Sequence, residues 1–375
     1  PDYKLAEYTE TVARCTGNDR FDAHPQANDW YETIKLNYGI DYCDWGGRSN
    51  HFNPIPDTWH KMTDILLFWA AKGIDGFRCD MAEMVPHEFW KYATEKVKAQ
   101  YPHIVFIGEV YDPNQYRTYI AAGFDYLYDK VGMYDCLRDV MCEHRSANDI
   151  TRQWQATDDI GKHVLYFLEN HDEQRIASNF FCGNMQKGIP ALIVAALFQC
   201  NPIMIYAGQE FGEKGMDGEG FSGIDGRSTI FDYWSIDAIR KGFFERSKLS
   251  AEQVQLEKEY RKILTLCNSE KAISNGKTFD LMYANETNDA FDNNKQFAFL
   301  RSSNNTTLLI VANFSKTEAH IRVNIPAHAF DYMEIKEGKK NMVDLLSGNH
   351  QSVVLQKDSS IEIVVPALNG RVYKF

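Results

Sequence analysis

The sequence predicts an α/β fold, a run of β/α units followed by a separate antiparallel β module, and two observations carry this. From about Asp57 to Cys267, helix-like and strand-like stretches alternate, as a sheet covered by helices requires. From roughly Phe279 the rhythm changes to short strands, QFAFLRSS, TTLLIVANFS, AHIRVNIP and SSIEIVVPALNGRVYKF, separated by Asn, Lys and Gly turns. Length agrees, because 375 residues is more than twice the roughly 150 of a typical domain.

Taken in order, the first 53 residues are aromatic, polar and weakly periodic, and read as a long insertion. Trp59, Met62, Ile65, Leu66 and Trp69 then follow helical spacing after Pro56-Asp57, with Gly73 as the stop. IDGFRCD (74–80) reads as a strand. A helix around Phe89, Tyr92 and Val97 ends near Pro102 and leads into HIVFIGEV (103–110), rich in branched residues. GFDYLYD (123–129), HVLYFLENHD (163–172) and NPIMIYAGQE (201–210) complete five parallel strands, with a helix over 185–198 between the last two. A glycine-rich loop (208–226) and a polar helix (250–267) follow. A loop of that length is more often functional than structural.

Composition narrows the function classes. Forty Lys and Arg against 52 Asp and Glu give a net charge of −12, with no dense basic run, so nucleic acid and anionic membranes are not expected partners. No stretch approaches the roughly 18 apolar residues of a membrane span, and the first residues lack the features of a signal peptide. The eight cysteines show no CxxC and no metal-ligand spacing, which argues against a zinc site or a disulfide scaffold; one pair could still bond, leaving the redox compartment open. Aromatic residues make up 13%, suited to packing a large core or to handling sugar faces.

Acidic residues fall at strand ends. Strand 74–80 ends in Asp80, strand 103–110 nearly ends in Glu109, and strand 163–172 ends in Asp172. The carboxyl ends of strands in a β/α barrel form its catalytic face. Arg78, two residues before Asp80, shares its side of the strand, and a guanidinium there favours the ionised carboxylate. Glu109, between Ile107 and Val110, is expected to keep a proton available. One ionised and one protonated carboxyl is the chemistry of a retaining glycoside hydrolase, in which the two groups stand about 5–5.5 Å apart. His171 beside Asp172 adds a group able to bind sugar hydroxyls. Taken singly, a strand-terminal Asp serves equally as a helix cap, Arg78–Asp80 as a buried ion pair and His171 as a structural residue; their joint placement favours the catalytic reading.

GFRCD (76–80), FIGEV (106–110) and ENHDEQR (169–175), in this order and spacing, resemble the second, third and fourth conserved regions of the α-amylase family of glycoside hydrolases. NDWYETIKLNYG (28–39) and GRSTIFDYW (226–234) extend the resemblance over residues 28–235. It implies a (β/α)8 TIM barrel with a loop domain inserted after the third strand and a C-terminal antiparallel β-sandwich. Only strands 4–8 of that barrel are evident, giving residues 1–53 as the remainder of the inserted domain, 54–275 as the C-terminal part of the barrel and 276–375 as the sandwich. The chain is thus expected to begin inside the inserted domain, as part of a longer protein or a piece that pairs with another.

The same resemblance implies Asp80 as nucleophile, Glu109 as general acid/base and Asp172 as transition-state stabiliser, with Arg78 and His171 contacting the nucleophile and the sugar. Glu83 and Met84 replace a Lys-His pair that in many members touches substrate and calcium, so Glu83 falls at a substrate-binding position. Lys35 stands near the place of a calcium-binding Asp. No cofactor is required for the chemistry, and a structural calcium is not strongly implied. The expected activity is hydrolysis of α-1,4 bonds in starch, glycogen or maltooligosaccharides. The alternatives are glucanotransfer or isomerisation by the same acids, and a starch-binding relative without chemistry. Trp30, Tyr31, Tyr38, Tyr42 and Trp45 could stack on glucose rings or pack the insertion.

Overall fold

A computed structural model describes residues 26, 29, 35–41, 48–215, 224–230, 235–304 and 306–375. They fall into two compact units. One runs up to Phe106 and includes Ala121–Phe124; the other comprises Ile107–Ile120 and Asp125–Phe375.

In the first unit a two-stranded antiparallel ribbon, β1 (Ile40–Asp41) and β2 (Ser49–Asn50), precedes helix α1 (Asp57–Ala70). Strand β3 (Gly76–Cys79) and helix α2 (His87–Gln100) follow, and the unit takes in the first half of β4 (Val105–Gly108). The β/α step closes when Val105 N–H donates to Asp75 O at 3.0 Å. Helix α2 buries Phe89, Trp90, Ala93 and Val97, a 3.6-residue stripe as the sequence pattern requires. Helix α1 departs from its pattern: Trp59 is buried, whereas Ile65, Phe68 and Trp69 stay about half exposed. Gly123, at φ +107°, brings the backbone against α2, where Thr94 Oγ1 donates to Ala122 O at 2.7 Å. A Cβ there would meet Thr94 Oγ1 at 2.2 Å, so only glycine fits.

In the second unit the rest of β4 leads through α3 (Tyr116–Ala121) to β5 (Tyr126–Tyr128), then α4 (Asp135–Met141), α5 (Asp149–Ala156) and β6 (Val164–Phe167). Helix α6 (Gly188–Leu197) and β7 (Ile203–Met204) complete a parallel sheet in which β4, β5, β6 and β7 pair in chain order. Its core is aromatic: Tyr134 stacks on Phe167 at 4.8 Å and Tyr128 lies 5.3 Å from the same ring. The chain is a partial β/α barrel of parallel strands and covering helices, the predicted class.

All five parallel strands are shorter than the sequence reading, and the last two lose the most at their carboxyl ends. Strand β6 stops at Phe167 rather than Asp172, because Asn170 Oδ1 accepts the N–H groups of Asp172 (3.0 Å) and Glu173 (2.8 Å) and turns the backbone out of the sheet. Strand β7 covers only Ile203–Met204 of the expected 201–210; Gln209 N–H bonds Tyr206 O at 2.9 Å and opens a short 3₁₀ turn.

Helices α7 (Asp237–Phe244), α8 (Ala251–Ser269) and α9 (Lys271–Ser274) precede the antiparallel region. Helix α8 starts with a capping box, Ser250 and Gln253 bonding each other's backbone N–H. The antiparallel strands are β8 (Lys277–Asp280), β9 (Gln296–Ser303), β10 (Thr306–Asn313) and β11 (Ala319–Ile325). After helix α10 (Ala327–Met333) come β12 (Gly338–Asp344), β13 (His350–Leu355), β14 (Ser359–Val365) and β15 (Asn369–Lys374). They form a six-stranded sheet, β13-β12-β15-β10-β9-β8, and a pair, β11-β14.

Within this unit α6 is buried along its whole length and packs against α8, β10 and β15. Arg301 on β9 is fully buried; its guanidinium donates to the carbonyls of Phe198 (2.6 Å), Ile273 (2.6 Å), Ala272 (3.1 Å) and Gly276 (3.2 Å). These acceptors lie at the C-terminal ends of α6 and α9, where helix carbonyls lack intrahelical partners and carry partial negative charge.

Candidate active site

In the first unit Asp80 directly follows β3. Strand alternation sends Arg78 and Asp80 to one side and Cys79 to the buried side. Arg78 Nη1 and Asp80 Oδ1 form an ion pair, and the Asp80 side chain is 70% exposed, open to a ligand. The next residue, Met81, adopts a left-handed backbone (φ 42°), which costs a side-chain-bearing residue about 1–2 kcal/mol. It turns the chain sharply into a 3₁₀ turn, Ala82–Met84, whose Ala82 carbonyl accepts Trp90 Nε1–H at 3.0 Å. Glu83 sits half-buried in that turn. Burial pushes the Cys79 thiol up to about 12, Arg78 pulling the other way, so Cys79 is a packing residue and not a nucleophile.

In the second unit Glu109 directly follows β4 and is 5% exposed. Tyr111 Oη–H donates to Glu109 Oε1 at 3.1 Å. Burial raises the Tyr111 hydroxyl above its ordinary value, and the negative charge of Glu109, Asp172 and Glu173 raises it further. His171 Nε2 lies 3.2 Å from Asp172 Oδ2.

The ENHDEQR segment is held from every side. Glu169 Oε2 accepts from the fully buried Arg175 at 2.8 Å and Glu169 Oε1 from Ile176 N–H at 2.8 Å. Arg175 also donates to Ser228 Oγ (2.8 Å) and Ala207 O (3.0 Å) and lies over the Tyr206 ring. Glu173 takes Tyr134 Oη–H at 3.1 Å and ion pairs from Lys130 (3.3 Å) and Arg138 (3.6 Å). A loop so over-determined holds Asp172 and His171 with little freedom, as preorganised chemistry requires. Tyr111, Asn170, Glu173 and Arg175 escaped the sequence reading as site residues. Asn170 alone had a local signal, an Asn two residues before the acid, able to form an Asx turn.

Asp129, next after β5, is buried and turns the chain into a π-helical segment, Lys130–Tyr134, that carries two of the Glu173 partners. Burial raises its carboxyl to about 6, against the pull of the Met133 and Gly132 N–H groups and the Tyr116 hydroxyl. The folded protein therefore binds this proton more tightly than the unfolded chain between pH 4 and 6. Its contribution is most favourable below pH 4 and is lost as pH rises to 6, by about 3 kcal/mol. Urea unfolding of Asp129→Asn is expected to lack this fall, the difference from the parent curve changing between pH 4 and 6 and staying flat above it; a constant difference would refute the assignment.

Among the described residues no group of three or more His, Cys, Asp or Glu side chains is placed to hold a metal ion. Of the five aromatic residues considered for sugar stacking, Trp30, Tyr31, Tyr42 and Trp45 lie outside the described residues, as do Gly218, Gly220 and Gly223 of the glycine-rich loop. Tyr38 packs edge-on to Phe89 at 4.9 Å, a core contact.

A family profile described as "Alpha amylase, catalytic domain" matches residues 54–321, and one described as "Alpha amylase, C-terminal all-beta domain" matches residues 288–375. "Alpha-amylase 3" of Dictyoglomus thermophilum is 23% identical over 329 residues, covering 80% of this chain and 62% of that protein. An alpha-1,4-glucan:maltose-1-phosphate maltosyltransferase of Cereibacter sphaeroides is 32% identical over 92 residues, covering 24% and 16%. The chain thus spans less than two thirds of either relative's length. The crystal structure of an Anoxybacillus alpha-amylase superposes with a TM-score of 0.65 at 19% identity, over 88% of this chain and 65% of that one.

Proposed function

This chain belongs to the α-amylase family of glycoside hydrolases, and on that premise we propose that it cleaves α-1,4-glucosidic bonds of starch, glycogen or maltooligosaccharides with retention. The observation that supports this most is that Asp80 directly follows β3 and Glu109 directly follows β4, Asp80 open and Glu109 buried. In a double displacement Asp80 attacks the anomeric carbon while Glu109 protonates the departing oxygen; Glu109 then takes a proton from the water that releases the sugar from Asp80. Tyr111, held neutral, steadies Glu109 by its hydrogen bond through both steps. Asp172 stabilises the oxocarbenium-like transition state, His171 binds sugar hydroxyls, Arg78 orients Asp80, and Glu83 contributes to substrate binding.

Transfer is the second reading, favoured by the likeness to a maltosyltransferase. There a sugar hydroxyl replaces water at the glycosyl-enzyme. Maltotriose separates the two: glucose and maltose as the only products mean hydrolysis, and longer oligosaccharides mean transfer. Proton NMR of the first product is expected to show the α-anomer; an initial β-anomer would overturn retention.

A further inference from the structure

A cavity of about 590 Å³ in the second unit, apart from Glu109 and Asp172, is walled by aromatic rings from three elements. Trp154 comes from α5, Phe279 from β8, and His328 and Tyr332 from α10, with Tyr283 in the turn after β8. Phe279 is the hub, its ring 5.4 Å from His328, 6.1 Å from Tyr332 and 6.3 Å from Tyr283. Tyr283 and Tyr332 leave 52% and 51% of their surface to water, an exposure of flat apolar faces that a ligand would relieve. The platform is braced before any ligand arrives: Tyr283 Oη bonds His328 Nε2, and Lys277 Nζ donates to Tyr332 O at 3.1 Å and pairs with Glu334 at 3.0 Å.

The polar wall selects the ligand's charge. Exposed Lys162 and Asp158 offset each other, and the Asp280 carboxylate is already engaged by Thr151 Oγ1–H (2.5 Å) and Met282 N–H (2.7 Å). A neutral molecule with one apolar face and a rim of hydroxyls fits, which is the chemistry of a pyranose, and the volume admits a short oligosaccharide.

We propose that this cavity is a second α-glucan-binding site, holding a maltooligosaccharide segment away from the reacting bond. It rests on the glucan reading above. The test is calorimetric titration of maltoheptaose into Asp80→Asn, which removes turnover. Two binding events are expected. Adding Tyr283→Ala and Tyr332→Ala should weaken one of them about tenfold or more and leave the other, whereas Tyr283→Phe with Tyr332→Phe, which keeps the rings, should preserve both. Matching thermal unfolding of the two variants checks that both fold. Binding unchanged by the alanine pair, or a single event in Asp80→Asn, overturns the second site, and turnover of maltoheptaose by the unsubstituted chain would then show that the glucan reading still stands. If the unsubstituted chain neither binds nor cleaves maltoheptaose, that reading falls and takes the second site with it.

Discussion

Asp80→Asn is expected to lower maltoheptaose turnover by about 10⁴-fold, measured as release of reducing ends, because the amide cannot form the glycosyl ester on which double displacement depends. That factor corresponds to about 5.5 kcal/mol of barrier. Thermal unfolding should stay near the parent's, since the Asp80 side chain is 70% exposed and its pairing with Arg78 is a partly solvated one. Glu109→Gln makes the complementary test. It should lose about 10²–10⁴-fold on maltoheptaose yet act far better on α-maltosyl fluoride, whose fluoride leaves without a proton. Near-parental turnover by Asp80→Asn would remove the assigned nucleophile, and equal losses on both substrates by Glu109→Gln would remove the assigned acid.

Arg301→Met is expected to cost about 3–5 kcal/mol in urea unfolding. Its guanidinium is fully buried and donates to the carbonyls of Phe198, Ala272, Ile273 and Gly276, which would lose these bonds together. Burial lowers the tendency of Arg301 to hold its charge, and the neighbouring Cys200 and Cys267 sulfurs pull the other way. Arg301→Lys should recover only part of the loss, because an ammonium carries three donors in a compact head where the guanidinium spreads five over a plane. A loss below about 1 kcal/mol for Met would mean that the carbonyls find other donors.

How much of this was legible in the sequence depends on the range of the interactions involved. GFRC and VFIG form strands inside the stretches read at 74–80 and 103–110, and QFAFLRSS is β9 residue for residue. Strand β6 ends five residues short of the sequence reading because the contiguous apolar run Val164–Leu168 carries no sign of the turn that the Asn170 side chain makes after it. Strands β8, β12 and β13 were not foreseen: GKKNMVD and HQSVVL are polar on their exposed faces and half-buried on the others, so their signal is weak. Among the candidate site residues, the acids and their neighbours in sequence were readable. Tyr111 escaped because a tyrosine two residues after an acid carries no distinctive pattern.

By itself the sequence determined the alternation of β/α units, the change to antiparallel strands after Phe279 and the positions of Asp80 and Glu109 at strand ends. Each of these is written in the period of side chains along a few neighbouring residues. Only the tertiary structure decided that Lys130, Tyr134 and Arg138 close on Glu173, that Arg301 is caged by the ends of two helices, and that Trp154 and Tyr332 wall one cavity. Those arrangements join groups from tens to nearly two hundred residues apart, and a hydrogen bond or ring contact at that separation leaves no trace in local periodicity.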